Sequence, residues 1–144
     1  MPDMIADTIK ESPLFKHLST DELNALISKS VLKVHHPGET VIKENSQTEN
    51  LYIVISGRVR VWTKGPKGEV ELKAMGPGAY FGEVSLLSGN AATASVEVTT
   101  GPAQFVAIGK ETLLELLKED EKVRKMLQGV TLARAKDTIG KVFK

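Results

Sequence analysis

Gly76-Pro77-Gly78-Ala79-Tyr80-Phe81-Gly82-Glu83-Val84-Ser85-Leu86-Leu87-Ser88-Gly89-Asn90-Ala91-Ala92-Thr93-Ala94-Ser95-Val96 reads as a glycine-rich turn, a short helix and a strand. A helix that opens at Gly82-Glu83 aims several backbone N–H groups at one point, and the missing side chain of Gly82 lets an anion come close. The result is a pocket of phosphate size. Glu83, in the first turn, is placed to accept hydrogen bonds from a sugar hydroxyl beside that phosphate. Complementing the helix dipole is the simpler role open to Glu83, worth up to about 1 kcal/mol.

Upstream and downstream of this stretch, residues 31–108 form short β-branched runs divided by turn residues, the pattern of an all-β sandwich or barrel. The expected strands are Val31-His35, Thr40-Lys43, Leu51-Ile55, Arg58-Thr63, Glu69-Ala74, Thr93-Thr99 and Gln104-Ile108. Arg58, Arg60 and Trp62 alternate with Val59 and Val61, which gives one wet and one buried face. Pro37-Gly38, Ser56-Gly57, Lys64 to Gly68 and Gly76-Pro77-Gly78 read as turns. The strands follow one another too closely for helical crossovers, so the sheet is expected to be mainly antiparallel.

Helices flank this β region. Residues 4–30 read as two short helices around Pro13-Leu14-Phe15, the second capped by Ser19 or Thr20 ahead of Asp21-Glu22. After Gly109 the apolar spacing becomes helical again through Leu113, Leu116, Leu117, Val123, Met126, Leu127, Val130 and Ala133 to Phe143. Gly129 interrupts that tail, as a hinge or as a close helix–barrel contact. The expected organisation is one domain over 1–144: N-terminal helices to about 30, an antiparallel roll over 31–109 and C-terminal helices over 110–144.

Composition narrows the function. The chain has 144 residues, with 19 Lys+Arg against 18 Asp+Glu and a formal net charge of +1. A chain of this size buries roughly 68% of its unfolded surface, enough for one substantial core. The near-neutral charge provides no global field for nucleic acid or anionic lipid, so neither is expected as a partner. With no cysteine, disulfide frameworks, thiolate zinc sites and thiol catalysis are excluded. Acidic Asp3 and Asp7 occupy the place where a signal peptide carries positive charge, and no apolar run reaches a membrane span, so a cytoplasmic protein is expected.

Catalytic and metal motifs are absent from the sequence. Histidine occurs at His17, His35 and His36, and the adjacent pair on a strand points to opposite faces, which does not favour one shared metal. The run Gly76 to Gly82 differs from a dinucleotide-binding loop in the position of its third glycine and in lacking a strand–helix–strand setting. No nucleophile–base pair, nucleophile elbow or Walker loop is present. The expectation is a protein that is not an enzyme and carries no metal or resident cofactor.

Over nearly its whole length the chain resembles the cyclic nucleotide-binding domain family, which includes the catabolite activator protein, protein kinase A regulatory subunits and cyclic-nucleotide-gated channels. The likeness rests on the leading helices, Pro37-Gly38-Glu39, Leu51-Tyr52-Ile53-Val54-Ile55-Ser56-Gly57, the segment from Gly78 to Val96, and above all Phe81-Gly82-Glu83 followed by Ser85-Leu86-Leu87. It implies a mainly β fold with flanking helices: an eight-stranded antiparallel β-roll, jelly-roll-like, of the double-stranded β-helix type, with C-terminal lid helices and a phosphate-binding cassette at 78–96.

The resemblance also implies a site. Phe81 belongs to the signature. Gly82, Glu83, Val84 and Ser85 match cassette positions where backbone amides meet the cyclic phosphate and the glutamate meets the ribose 2′-hydroxyl. Thr93 matches a hydroxyl that touches the phosphate and, in some members, a guanine base, and Ala94 matches a small residue. Ala91-Ala92 stand where the family has Pro-Arg. The missing guanidinium normally forms charge-assisted bonds of about 1.5–3 kcal/mol each, so its loss should cost one to four orders of magnitude in affinity for one or two bonds. Arg58, Arg60, Lys73, Arg124 and Arg134 are the other cations considered, and are expected to be solvated surface charges.

The implied function is a stand-alone sensor of cAMP or cGMP that moves its C-terminal helices and signals to a protein partner or a second copy through its terminal helices. The alternative is a degenerate domain that has kept the fold and serves as an interaction module or takes another ligand.

Overall fold

The computed structural model of the protein describes residues 3–16, 18–83, 89, 91–122, 124–125 and 129. Helix α1 (Met4–Glu11) starts where the Asp3 carboxylate accepts hydrogen bonds from the amides of Ile5 and Ala6. It stops at Ser12, which is extended (φ −69°, ψ 130°) ahead of Pro13. Helix α2 (Thr20–Lys29) opens with a reciprocal capping box in which Ser19 Oγ accepts from the Glu22 amide and Glu22 Oε1 from the Ser19 amide, both at 3.1 Å. The two-helix reading around Pro13 is what the chain adopts, with Ser19 as the cap.

Six strands follow: β1 (Val31–His35), β2 (Thr40–Ile42), β3 (Asn50–Gly65), β4 (Gly68–Met75), β5 (Tyr80–Phe81) and β6 (Ser95–Gly109), then helix α3 (Lys110–Glu119). The sheet order is β1-β6-β3-β4, with β2 on β6 and β5 on β3, and every pairing is antiparallel. The mainly β roll with flanking helices is therefore present.

Its strand division differs from the sequence expectation. Leu51-Ile55 and Arg58-Thr63 are one strand, because Ser56-Gly57 is a bend within β3 and not a turn. Gly57 takes φ +85°, and a Cβ there would stand 2.7 Å from Ala103 Cα and from Thr100 O. Only glycine permits so close a crossing, and β3 stays paired to β6 on both sides of it, through local shifts of register. Thr93-Thr99 and Gln104-Ile108 likewise fuse into β6, which starts at Ser95 and bends at Gly101-Pro102, whose peptide is cis. Among the described residues the expected eight strands become six because the two long strands each serve twice, while the two-residue β5 is too short to show any periodicity.

Two apolar clusters result. On one side of the sheet Leu51, Ile53, Val106 and Ile108 pack under Ile9, Leu14, Phe15, Leu26, Leu113 and Leu116 of the helices and the turn between α1 and α2. On the other, Ile42, Val54, Val59, Phe81, Ala92 and Phe105 line the inside of the roll. Val59 is fully buried between exposed Arg58 and half-buried Arg60, as the alternation predicts. Beyond Lys125 only Gly129 is described, so the tail positions Val130 and Ala133 lie outside the described residues. Gly129 is exposed, and a Cβ on it would meet nothing within 4 Å among the described residues.

Candidate functional site

The turn Gly76-Pro77-Gly78 returns the chain so that Phe81 pairs with Tyr52 and Tyr80 with Ile53. Phe81 is buried, stacked on Tyr52 with centroids 5.2 Å apart and edge-on to Phe105 at 5.8 Å. This aromatic contact fixes where β5 ends. Gly82 then takes φ +98°, and a Cβ on it would lie 2.7 Å from Asn50 O, so the position demands glycine on both counts. The left-handed turn sends the chain inward, and Glu83 is 0% exposed. A carboxylate wholly removed from water is costly, and complementing a helix dipole requires no such burial; buried carboxyl groups of this kind concentrate at functional sites. Val84 and Ser85 lie outside the described residues.

The far end of the cassette is held by the loop between β2 and β3. The Ala92 amide donates to Ser46 O and the Asn45 amide to Ala92 O, each at 2.8 Å. Asn45 itself is left-handed (φ +72°). With its backbone so held, Ala92 directs its methyl into the apolar cluster beside Phe81 and is 6% exposed. Thr93 is exposed and Ala94 half-buried. The structure thus places Phe81 and Ala92 in one cluster, Gly82 against β2 and the β2–β3 loop, and Thr93 at an exposed rim.

A polar clamp that sequence reading missed secures this exit. Glu44 Oε2 accepts from Thr63 Oγ1 at 2.7 Å, Glu44 Oε1 from the Lys64 amide at 3.1 Å, and the Glu44 amide donates to Ser95 Oγ at 2.9 Å. Thr63 Oγ1 also lies 3.3 Å from Thr93 O. These partners are remote along the chain and follow no short motif, so only the fold reveals them.

Two of the cations considered for the pocket are engaged by carboxylates. Arg60 is held by Glu97 and Glu69 at 2.9 and 3.0 Å and lies 5.4 Å from the centroid of the Trp62 ring. The Glu97 hydrogen bond is the main cause that raises its pKa above the ordinary arginine value. Arg58 is exposed and lies over Gly76, and Arg124 pairs loosely with Glu121 at 3.9 Å. Lys73 is exposed too, while Arg134 is outside the described residues. Among the described residues no cluster of three His, Asp or Glu could hold a metal, and no helix is long and apolar enough to cross a membrane.

A glycine turn, a buried carboxyl group and a short returning strand on a bent antiparallel roll define a β-roll module with a buried acid at its glycine turn. Residues 32–120 match the family described as the cyclic nucleotide-binding domain, and the chain belongs to that family. It is 32% identical over 133 residues, 92% of its length, to the potassium/sodium hyperpolarization-activated cyclic nucleotide-gated channel 2 of Mus musculus, of which it spans only 15%. The regulatory domain of Toxoplasma gondii protein kinase A, crystallised with cAMP, is similar at 28% identity and a TM-score of 0.73, over 78% of this chain and 42% of that one. The catabolite activator protein of Thermus thermophilus is similar at 29% identity and a TM-score of 0.72, over 86% and 58%.

Proposed function

We propose that the chain binds cAMP or cGMP through Phe81, Gly82, Glu83, Val84, Ser85, Ala92, Thr93 and Ala94, and acts as a non-enzymatic regulatory unit. The observation that carries this reading is the complete burial of Glu83 directly after the left-handed turn at Gly82. Backbone amides at the cassette hold the cyclic phosphate, and Glu83 accepts the ribose hydroxyl. Transmission to a protein partner, or to a second copy, runs through the C-terminal helices. It requires that ligand bind the closed arrangement of those helices better than the open one. The unit works in the cytoplasm without a resident cofactor.

The packing of Ala92 into the roll's apolar cluster supports a second reading, a family member that has given up nucleotide control and serves as an interaction module. An amide NMR titration of the unmodified chain with cAMP, cGMP and 5′-AMP separates the two. Saturable shifts at Gly82, Glu83 and Thr93 specific to a cyclic nucleotide are expected; none at millimolar ligand would leave the interaction module.

A further inference from the structure

Residues 92–94 lie beyond the last rungs of both ladders that hold the start of β6. Those rungs are Trp62↔Ser95 on the β3 side and Ile42↔Val96 on the β2 side. The backbone ahead of Ser95 therefore takes its position from hydrogen bonds outside the sheet. They come from residues just past the same rungs. Glu44, two residues beyond Ile42, donates its amide to Ser95 Oγ, and its neighbours Asn45 and Ser46 hold the Ala92 carbonyl and amide. Thr63, one residue beyond Trp62, brings its hydroxyl to 3.3 Å from Thr93 O.

The Glu44 carboxylate ties these two sources together. One oxygen accepts from Thr63 Oγ1 and the other from the Lys64 amide, so a single half-buried side chain spans from the end of β2 to the end of β3. Its partners Thr63 and Ser95 are 4% and 3% exposed, and a charge-assisted bond in so sheltered a place is stronger than a neutral one. Thr63 has one hydroxyl hydrogen for two acceptors. The shorter bond, 2.7 Å to Glu44 Oε2, sets where that hydroxyl lies beside Thr93 O. Thr93 is exposed, so its side chain takes its direction from this backbone.

We propose that Glu44 is a positioning residue for the nucleotide: it touches no ligand, and through Thr63 and Ser95 it sets the backbone at Thr93 so that the Thr93 hydroxyl meets the cyclic phosphate. This inference rests on the cyclic nucleotide reading and deepens it by naming the residue on which the cassette's exit depends. Ala92 offers the phosphate no cation, which leaves more of the binding to neutral donors. Such bonds weaken steeply when misaligned, so the placement of the Thr93 hydroxyl decides what it is worth.

The test is a double-mutant cycle on the full chain: unmodified, Glu44→Ala, Thr93→Val and the two together, with Glu44→Gln alongside. Each is titrated with cAMP and cGMP by amide NMR and melted without ligand. Thr93→Val should weaken binding roughly three- to tenfold, the worth of one neutral hydrogen bond. Glu44→Ala should weaken it by roughly the same factor. Combining the two should cost less than about twofold more than Thr93→Val alone, because both disable the same hydroxyl. Glu44→Gln keeps an acceptor for the Lys64 amide and a polar partner for Thr63, so it should bind within about twofold of the unmodified chain. Should Glu44→Ala not fold, Thr63→Val cuts the same link and takes its place in the cycle. Losses that multiply, a Glu44→Gln that binds as poorly as Glu44→Ala, or unchanged affinity in folded Glu44→Ala would each overturn the positioning role while the function stands. No saturable binding of either cyclic nucleotide by the unmodified chain would overturn the cyclic nucleotide reading, and this role with it.

Discussion

Leu51, Ile53, Val106 and Ile108 turn toward the helices, while Val54 and Phe105 on the same two strands turn toward the inside of the roll. The helix-side cluster is made of apolar side chains, and the serines buried near it, Ser12 and Ser30, are bonded to local backbone. The roll-side cluster adjoins Thr48, Thr63, Glu83 and Ser95, all buried and polar. One side of the sheet is built for stability. The other keeps the Glu83 carboxyl group out of water, which folding alone does not require.

Substitutions can break or sharpen that division. Phe15→Ala removes a fully buried ring from the helix side and should cost about 3–5 kcal/mol in urea unfolding. The fraction that remains folded should show unchanged ligand shifts; altered selectivity there would end the division of labour. Glu83→Gln, on the roll side, should reverse the balance: cyclic nucleotide affinity falls roughly ten- to a hundredfold by calorimetry, with little loss of melting temperature. A large loss of stability with intact binding would reassign Glu83 to the scaffold. Ala92→Arg should tighten cyclic nucleotide binding at least tenfold, about 1.4 kcal/mol. No gain would mean that a side chain anchored in the apolar cluster cannot extend to the phosphate, contradicting the match of this position to the family's arginine. The smallest effect is expected outside both clusters. Arg60→Gln breaks the pairs to Glu69 and Glu97 and should cost under about 1 kcal/mol, less in high salt, with no change in binding.

Local chemistry decided how much of this was legible in the sequence. Ser19 with Glu22, Pro13 and the turns at Pro37-Gly38 and Gly76-Pro77-Gly78 act within a few residues, so their elements appeared where expected. Gly57 looked like a turn because a glycine between two β-branched runs has the same composition whether the chain reverses or bends. Only the contact with Ala103 and Thr100 tells them apart. Within the candidate site, Gly82 and Glu83 stood out as neighbours in a recognisable order, but the depth of Glu83 did not. Glu44 carried no signal, since its meaning depends on Thr63 and Ser95 arriving from elsewhere in the chain.

The shared strands also give the chain a parity. Along β3, Leu51 and Ile53 face the helices and Tyr52 and Val54 face inward, so one residue inserted between Asn50 and Ser56 would exchange the two sets and spoil both interiors at once. Two inserted residues would restore the facing while displacing the pairs from Asn50↔Gly109 onward. Length changes in this family of rolls therefore belong at exposed reversals such as Pro66-Lys67, between Gly65 and Gly68, where the chain can grow without either interior registering it.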